Sequence, residues 1–143
     1  MTKHLHLLLL IPLAACSSTH DLKRDGFNMF GGGFIDDQVG PGLYLIKAFS
    51  NTSPLATPDS AAKTFRYRAE QLCPTGYEEV RTVADAYRSS IGGMEIAPDP
   101  KQPGLTVPVP PPVITSKIGH IRCSDSPLSL YEAKVLVTPE GEQ

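Results

Sequence analysis

The chain has no tryptophan, only three cysteines and four histidines, and no surplus of basic residues. Each shortage narrows what it can be. With 13 Lys+Arg against 15 Asp+Glu, it lacks the concentrated basic face that nucleic-acid binding requires, so no nucleic-acid partner is expected. Beyond residue 15 no apolar run approaches the roughly 20 residues that a membrane-spanning helix needs. There is no Gly-x-Ser-x-Gly elbow and no His-Glu-x-x-His pair, so the familiar hydrolase and zinc-protease signatures are missing. Two histidines follow the first fifteen residues, His20 and His120, and neither has a neighbouring set of acid, base and nucleophile. Asp36-Asp37 is the most tempting carboxylate pair, but neighbours in an extended strand face opposite ways.

What is present begins at the N-terminus. Lys3 and His4 precede an almost unbroken apolar stretch, Leu5 to Leu13, followed by the small residues Ala14 and Ala15 and then Cys16. A basic start, a short apolar core and small residues at a cut site mark a secretory signal, and the core is too short to span a bilayer. Leu13-Ala14-Ala15-Cys16 resembles the lipobox of bacterial lipoproteins. The resemblance implies cleavage between Ala15 and Cys16, a diacylglycerol on the Cys16 thiol and an acyl chain on the new amino group. Several chains hold firmly where a single myristoyl chain holds only marginally. Ser17 in place of an aspartate resembles the default that sends such proteins to the outer membrane, facing the periplasm. The competing expectation is an ordinary secretory signal with a chance cysteine at the cut.

With residues 1–15 removed, Lys3 leaves and the balance becomes 12 basic against 15 acidic residues. Cys73 and Cys123 remain as one even pair. In an oxidising exported compartment such a pair reads as a disulfide, a useful staple for a small domain without tryptophan. A metal site built from His120, Cys123 and Cys73 is the alternative. It has no fourth ligand at a recognisable spacing, so no metal or cofactor is expected. Cys73 as a nucleophile would need an unpaired thiolate.

The mature chain divides by composition. Residues 16–33 are polar, then glycine-rich through Gly31-Gly32-Gly33, and are expected to form a flexible lipidated tether. Leu43 to Phe49, bounded by Pro41-Gly42 and Asn51-Thr52-Ser53-Pro54, predicts a strand with Tyr44, Ile46 and Ala48 on one face. Thr57 and Pro58 open the best helix. Its apolar stripe is Ala61, Phe65, Ala69 and Leu72, joined by Ala62 and Cys73, and Pro74 and Gly76 stop it. Lys63, Arg66 and Glu70 point outward, and Arg66, Tyr67 and Arg68 are expected to decorate the helix surface. Glu79 to Tyr87 predicts a second strand, with Val80, Thr82, Ala84 and Ala86 sharing a face. Ile118 to Ser124 predicts a third, with Gly119, Ile121 and Cys123 on one side. Between them, residues 91–113 carry seven of the fourteen prolines and predict a long projecting loop, or a ligand for an aromatic groove. Residues 127–137 suit helix or strand, with helix favoured, and 138–143 form a polar tail. The expected fold is a small α+β domain over residues 34–137. One helix packs on a three-stranded sheet, with a right-handed crossover if the first two strands pair in parallel.

Several of these stretches together resemble a group of small, uncharacterised proteobacterial envelope lipoproteins. They are Gly33-Phe34-Ile35-Asp36, Tyr44 to Asn51, Arg68-Ala69-Glu70-Gln71-Leu72-Cys73 and Gly76-Tyr77. The resemblance covers roughly residues 33–83, with Ser50 where that group carries glycine. It implies envelope placement and a similar fold, and no catalytic residues. Three function classes follow: a non-catalytic structural or interaction lipoprotein binding an envelope protein or the cell wall, an envelope-stress or redox sensor, and a small periplasmic enzyme.

Overall fold

In the computed structural model, which describes residues 18–26, 28–90 and 112–138, the chain forms α1 (Leu22–Asp25), β1 (Gly33–Gly40), β2 (Leu43–Phe49), α2 (Pro58–Leu72), β3 (Tyr77–Ser90), β4 (Val113–Cys123) and α3 (Leu130–Val137). The fold is α+β. The strands make one sheet in the order β1-β2-β4-β3, and every pairing is antiparallel. β4 therefore lies between β2 and β3, which run parallel to each other without touching, with α2 connecting them in a split β-α-β arrangement. The condition of parallel pairing between these two strands is therefore not met, because β4 separates them. Of the projecting loop expected over residues 91–113, residues 91–111 lie outside the described residues, as do Ala15, Cys16 and the end of the tail. Val113 already belongs to β4, which begins five residues before the expected strand.

α2 forms for the reasons its sequence suggests. Pro58 takes the first helical position, where its missing N–H costs nothing. The Ser60 N–H donates to the Thr57 carbonyl at 2.9 Å, and the Ser60 hydroxyl accepts from the Thr57 N–H at 3.3 Å. Asp59 pairs with Lys63 one turn on, at 2.8 Å, the spacing at which helix side chains meet. Its buried stripe, Ala61, Phe65 and Ala69, lies on the sheet face built by Ile46, Ala48, Ile121 and Cys123. Gly119 faces the same way. A Cβ there would touch the Phe65 ring at 3.4 Å and crowd the Arg81 carbonyl at 3.1 Å, so the ring rests directly on the glycine and the close neighbour is the β3 backbone.

The sheet has four strands among the described residues, against the three expected, and β1 is the addition. Its edge position explains why its sequence is quiet: Phe34 and Asp36 alternate with Ile35 and Asp37, so neither face reads as apolar. Pairing with β2 through a turn at Pro41-Gly42 makes it a strand. Gly42 there has φ 63°, and a Cβ would come within 2.7 Å of Ser126, so only glycine fits without strain. The expected shared face along the second strand is also broken. β3 slips register three times, between Glu79 and Arg81, Thr82 and Ala84, and Ala84 and Tyr87, and each bulge resets which side faces which layer.

Residues 130–137 are helical, and this second packed helix covers the other side of the sheet. Ser129 caps α3, accepting from the Glu132 N–H at 3.2 Å while the Glu132 carboxylate accepts from the Ser129 N–H at 2.8 Å. This is a reciprocal capping box. Ala133 and Val137 pack on Leu43, with Val80 and Leu128 around them. Leu43 is fully buried yet points away from α2, so a single helix could not have covered this sheet.

Candidate functional site

Of residues 16–33, expected as a tether, the described part lies against the domain from Ser18 onward. Ser18 is buried, and its N–H donates to the Thr64 hydroxyl of α2 at 3.0 Å. The His20 carbonyl accepts from the Phe34 N–H at 2.9 Å, bringing the segment alongside β1. Gly33 permits this approach, because a Cβ would sit 2.4 Å from the His20 carbonyl oxygen. Asp21 then caps α1, accepting from the Lys23 and Arg24 N–H groups at 3.0 Å each, as a carboxylate at a helix start commonly does.

Between α1, β1 and α2 this leaves a polar cleft of about 300 Å³, lined by Thr19, Arg24, Tyr67 and Arg68 among others. Arg68 is its centre. Its guanidinium donates to Asp36 at 2.7 Å and to Gln71 at 3.1 Å. It also lies 4.7 Å from the Phe34 ring centroid, within cation–π range. Gln71 in turn donates to the Tyr67 hydroxyl at 2.8 Å. Arg24 is bound by Asp25 through two contacts of 2.8 Å. The cleft's cations are thus already matched by carboxylates, and the arrangement fastens β1 to α2 more than it prepares an anion site. Arg68, expected as surface decoration, is a partly buried strut. Its partner lies 32 residues away, and the only hint in the sequence is that Asp36 alternates onto the face that α2 covers. Asp37 points the other way, to Lys23 at 2.8 Å. The hydrogen bond from that ammonium, and then its charge, hold the carboxyl below its ordinary range, because both favour the ionised form. The two aspartates therefore act apart.

Cys73, at the end of α2, and Cys123, at the end of β4, are at disulfide-bonding distance with Cα atoms 5.1 Å apart. His120 is not with them. Odd-numbered β4 residues face α2, whereas His120 faces the α3 side, across the sheet from both sulfurs. The three residues weighed as metal ligands are therefore split between two faces, and no group of three or more metal-ligating side chains assembles among the described residues. The His120 Nδ1 is buried without a hydrogen-bond partner. Burial, and secondarily the Arg81 charge, push its pKa below the ordinary histidine value of 6.5, since both disfavour the cation. The unfolded chain then binds a proton more readily than the folded one, so stability falls as pH drops from about 6.5 toward the folded-state pKa. Thermal unfolding followed across that window should show this loss in the wild type and a shallower slope in His120→Gln. An equal slope in both would remove the histidine from the account.

Two exposed apolar groupings remain. At the end of the sheet where β1 begins and β2 stops, Met29 is 92% exposed, Phe30 58% and Leu55 78%. On α3, near the opposite end, Tyr131 is 77% exposed and Leu136 59%. No helix among the described residues is long and apolar enough to cross a membrane. No protein-family model, no curated protein and no solved structure matches the chain.

Proposed function

We propose that this chain is a lipid-anchored bacterial envelope protein. It is cleaved between Ala15 and Cys16, acylated on Cys16 and held to the outer membrane facing the periplasm, where it works by binding an envelope protein or the cell wall rather than by catalysis. The observation that carries the reading is the Leu13-Ala14-Ala15-Cys16 box behind a basic start and a short apolar core. The resemblance of residues 33–83 to small envelope lipoproteins points the same way. Supporting it, the two remaining cysteines stand at bonding distance, as suits an oxidising compartment. Cys73 is only 2% exposed and Cys123 3%. Such burial weighs against a redox sensor, whose sulfurs need access to solvent. The cleft, with its charges already paired, offers no activated base or nucleophile.

Labelling cells with a radioactive fatty acid tests the anchor. The wild type should incorporate label and stay with membranes after a carbonate wash, whereas Cys16→Ala should take up none and collect as the uncleaved precursor. An unlabelled wild type, processed and soluble, would overturn the reading. For the binding role, crosslinking in intact cells should recover a discrete envelope partner or wall fragment. Turnover of a defined substrate that is lost on changing one cleft residue would count decisively against it.

A further inference from the structure

We propose that the domain does not stand off on a spacer but sits directly on the membrane that holds its lipid, with Met29, Phe30 and Leu55 in the boundary between headgroups and acyl chains. The proposal rests on lipidation of Cys16 and adds an orientation to it.

Chain reach supplies the constraint. Two residue steps separate Cys16 from Ser18, and a fully extended chain covers at most about 3.6 Å per residue, so the two Cα atoms lie within about 7 Å of each other. Ser18 is already buried and bonded to Thr64. An acylated Cys16 places its own backbone at the lipid surface, and that surface must therefore lie close to Ser18 and the first half of α2. Ser18, His20 and Asp21 are each fixed to the domain, so the chain does not extend from Ser18 as a spacer.

The exposed apolar side chains lie at this same end. Thr64 is seven residues along α2 from Thr57, and Leu55 shortly precedes that helix start. Seven residues of helix advance only about 10 Å. The Phe30 carbonyl accepts from the Thr52 N–H at 2.8 Å, so the Met29-Phe30 turn and the Thr52–Leu55 loop are joined side by side. Tyr131 is far from them. α3 starts beside the β1–β2 turn, where the Ser126 hydroxyl donates to the Pro41 carbonyl at 2.6 Å. That turn is at the other end of strands that span about 20 Å. Scattered exposed apolar residues are ordinary on any protein. What distinguishes these three is that they lie at the end of the sheet along which the described chain enters the fold, from Ser18 on Thr64 to His20 on Phe34.

Charge permits the contact without driving it. Residues 18–33 and 50–66 carry four Lys or Arg and three Asp. This end of an otherwise acidic chain therefore does not repel an anionic leaflet, and it has no polybasic patch to bind one. Seating by apolar side chains, with acyl chains supplying the firm attachment, is the physics of an interfacial contact.

Because the chain contains no tryptophan, one substitution installs a unique reporter. Full-length, lipidated Phe30→Trp and, as the far-end control, lipidated Tyr131→Trp are each reconstituted into phosphatidylethanolamine–phosphatidylglycerol vesicles containing brominated phosphatidylcholine. The Phe30→Trp emission should move to the blue on reconstitution and be quenched several-fold more strongly than that of Tyr131→Trp. Adding Met29→Ser and Leu55→Ser should weaken both effects, while circular dichroism confirms an unchanged fold. Equal or reversed quenching, in protein that still floats with the vesicles and carries acyl chains by mass, overturns the orientation and leaves anchoring intact. A photo-crosslinker at position 30 that captures protein in cells, and not lipid, overturns it in favour of a partner on this face. Absence of acyl chains on Cys16 removes the anchoring reading and this proposal together.

Discussion

Phe65→Ala should destabilise the domain by about 3–5 kcal/mol, the cost typical of emptying a buried aromatic site. Phe65 is fully buried at the centre of the α2–sheet interface, among Ile46, Ala48, Ala69 and Ile121. Two features add to the cost. The ring lies on Gly119, which has no side chain to move into the void. It also lies 4.9 Å from the Lys117 ammonium, which loses a cation–π partner when the ring goes. Total stabilities of small domains are about 5–15 kcal/mol, so this one change removes a large share. In urea the midpoint should fall with little change in slope, and Phe65→Leu should lose clearly less because it refills much of the volume. A loss below about 1 kcal/mol for the alanine variant would mean that α2 is not held to the sheet through this residue.

Removing the Cys73–Cys123 link should cost about 4 kcal/mol in the chain-entropy model, since the cysteines are 50 residues apart in sequence. For a domain of roughly 100 residues that corresponds to a melting temperature lower by about 15 °C or more. The loop it closes contains all of β3 and most of β4, and the cross-link stabilises by limiting the freedom of that whole stretch in the unfolded chain. Cys73→Ala with Cys123→Ala is the cleaner variant, because a single serine would also bury a hydroxyl. In wild-type protein isolated without reductant, neither thiol should react with a maleimide until the protein is both reduced and unfolded. Ready labelling of both without reductant would mean that the pair is not bonded, and the stability change should then be small.

These two experiments touch the parts of the molecule that its sequence already marks. Thr57-Pro58 and the Ala61, Phe65, Ala69 stripe specify α2 because capping and helical periodicity are local and need no partner to be read. Tyr44, Ile46 and Ala48 alternate cleanly because β2 is an inner strand with one face against α2. Gly119, Ile121 and Cys123 share a side for the same reason, and the pairing of Cys73 with Cys123 follows from there being two cysteines after Cys16. The α+β class follows from those elements alone.

The rest was decided by contacts between residues far apart in the chain. β1 becomes a strand by pairing at the sheet edge, where mixed apolar and acidic residues are tolerated on both faces. The bulges of β3 answer to β4, and strict alternation contains no sign of where a register will slip. The α3 segment is nearly balanced between helix and strand by propensity, until Leu43, directed away from α2, requires cover on the second face. Arg68 looks like any outward helix residue until β1 brings Asp36 to it. Residues 18–33 have the composition of a loose spacer, and yet Ser18 on Thr64 and His20 on Phe34 lay them along the domain. Composition records what a segment prefers when solvated alone. Hydrogen bonds closed over 46 residues, as from Ser18 to Thr64, exist only once the sheet and α2 have assembled.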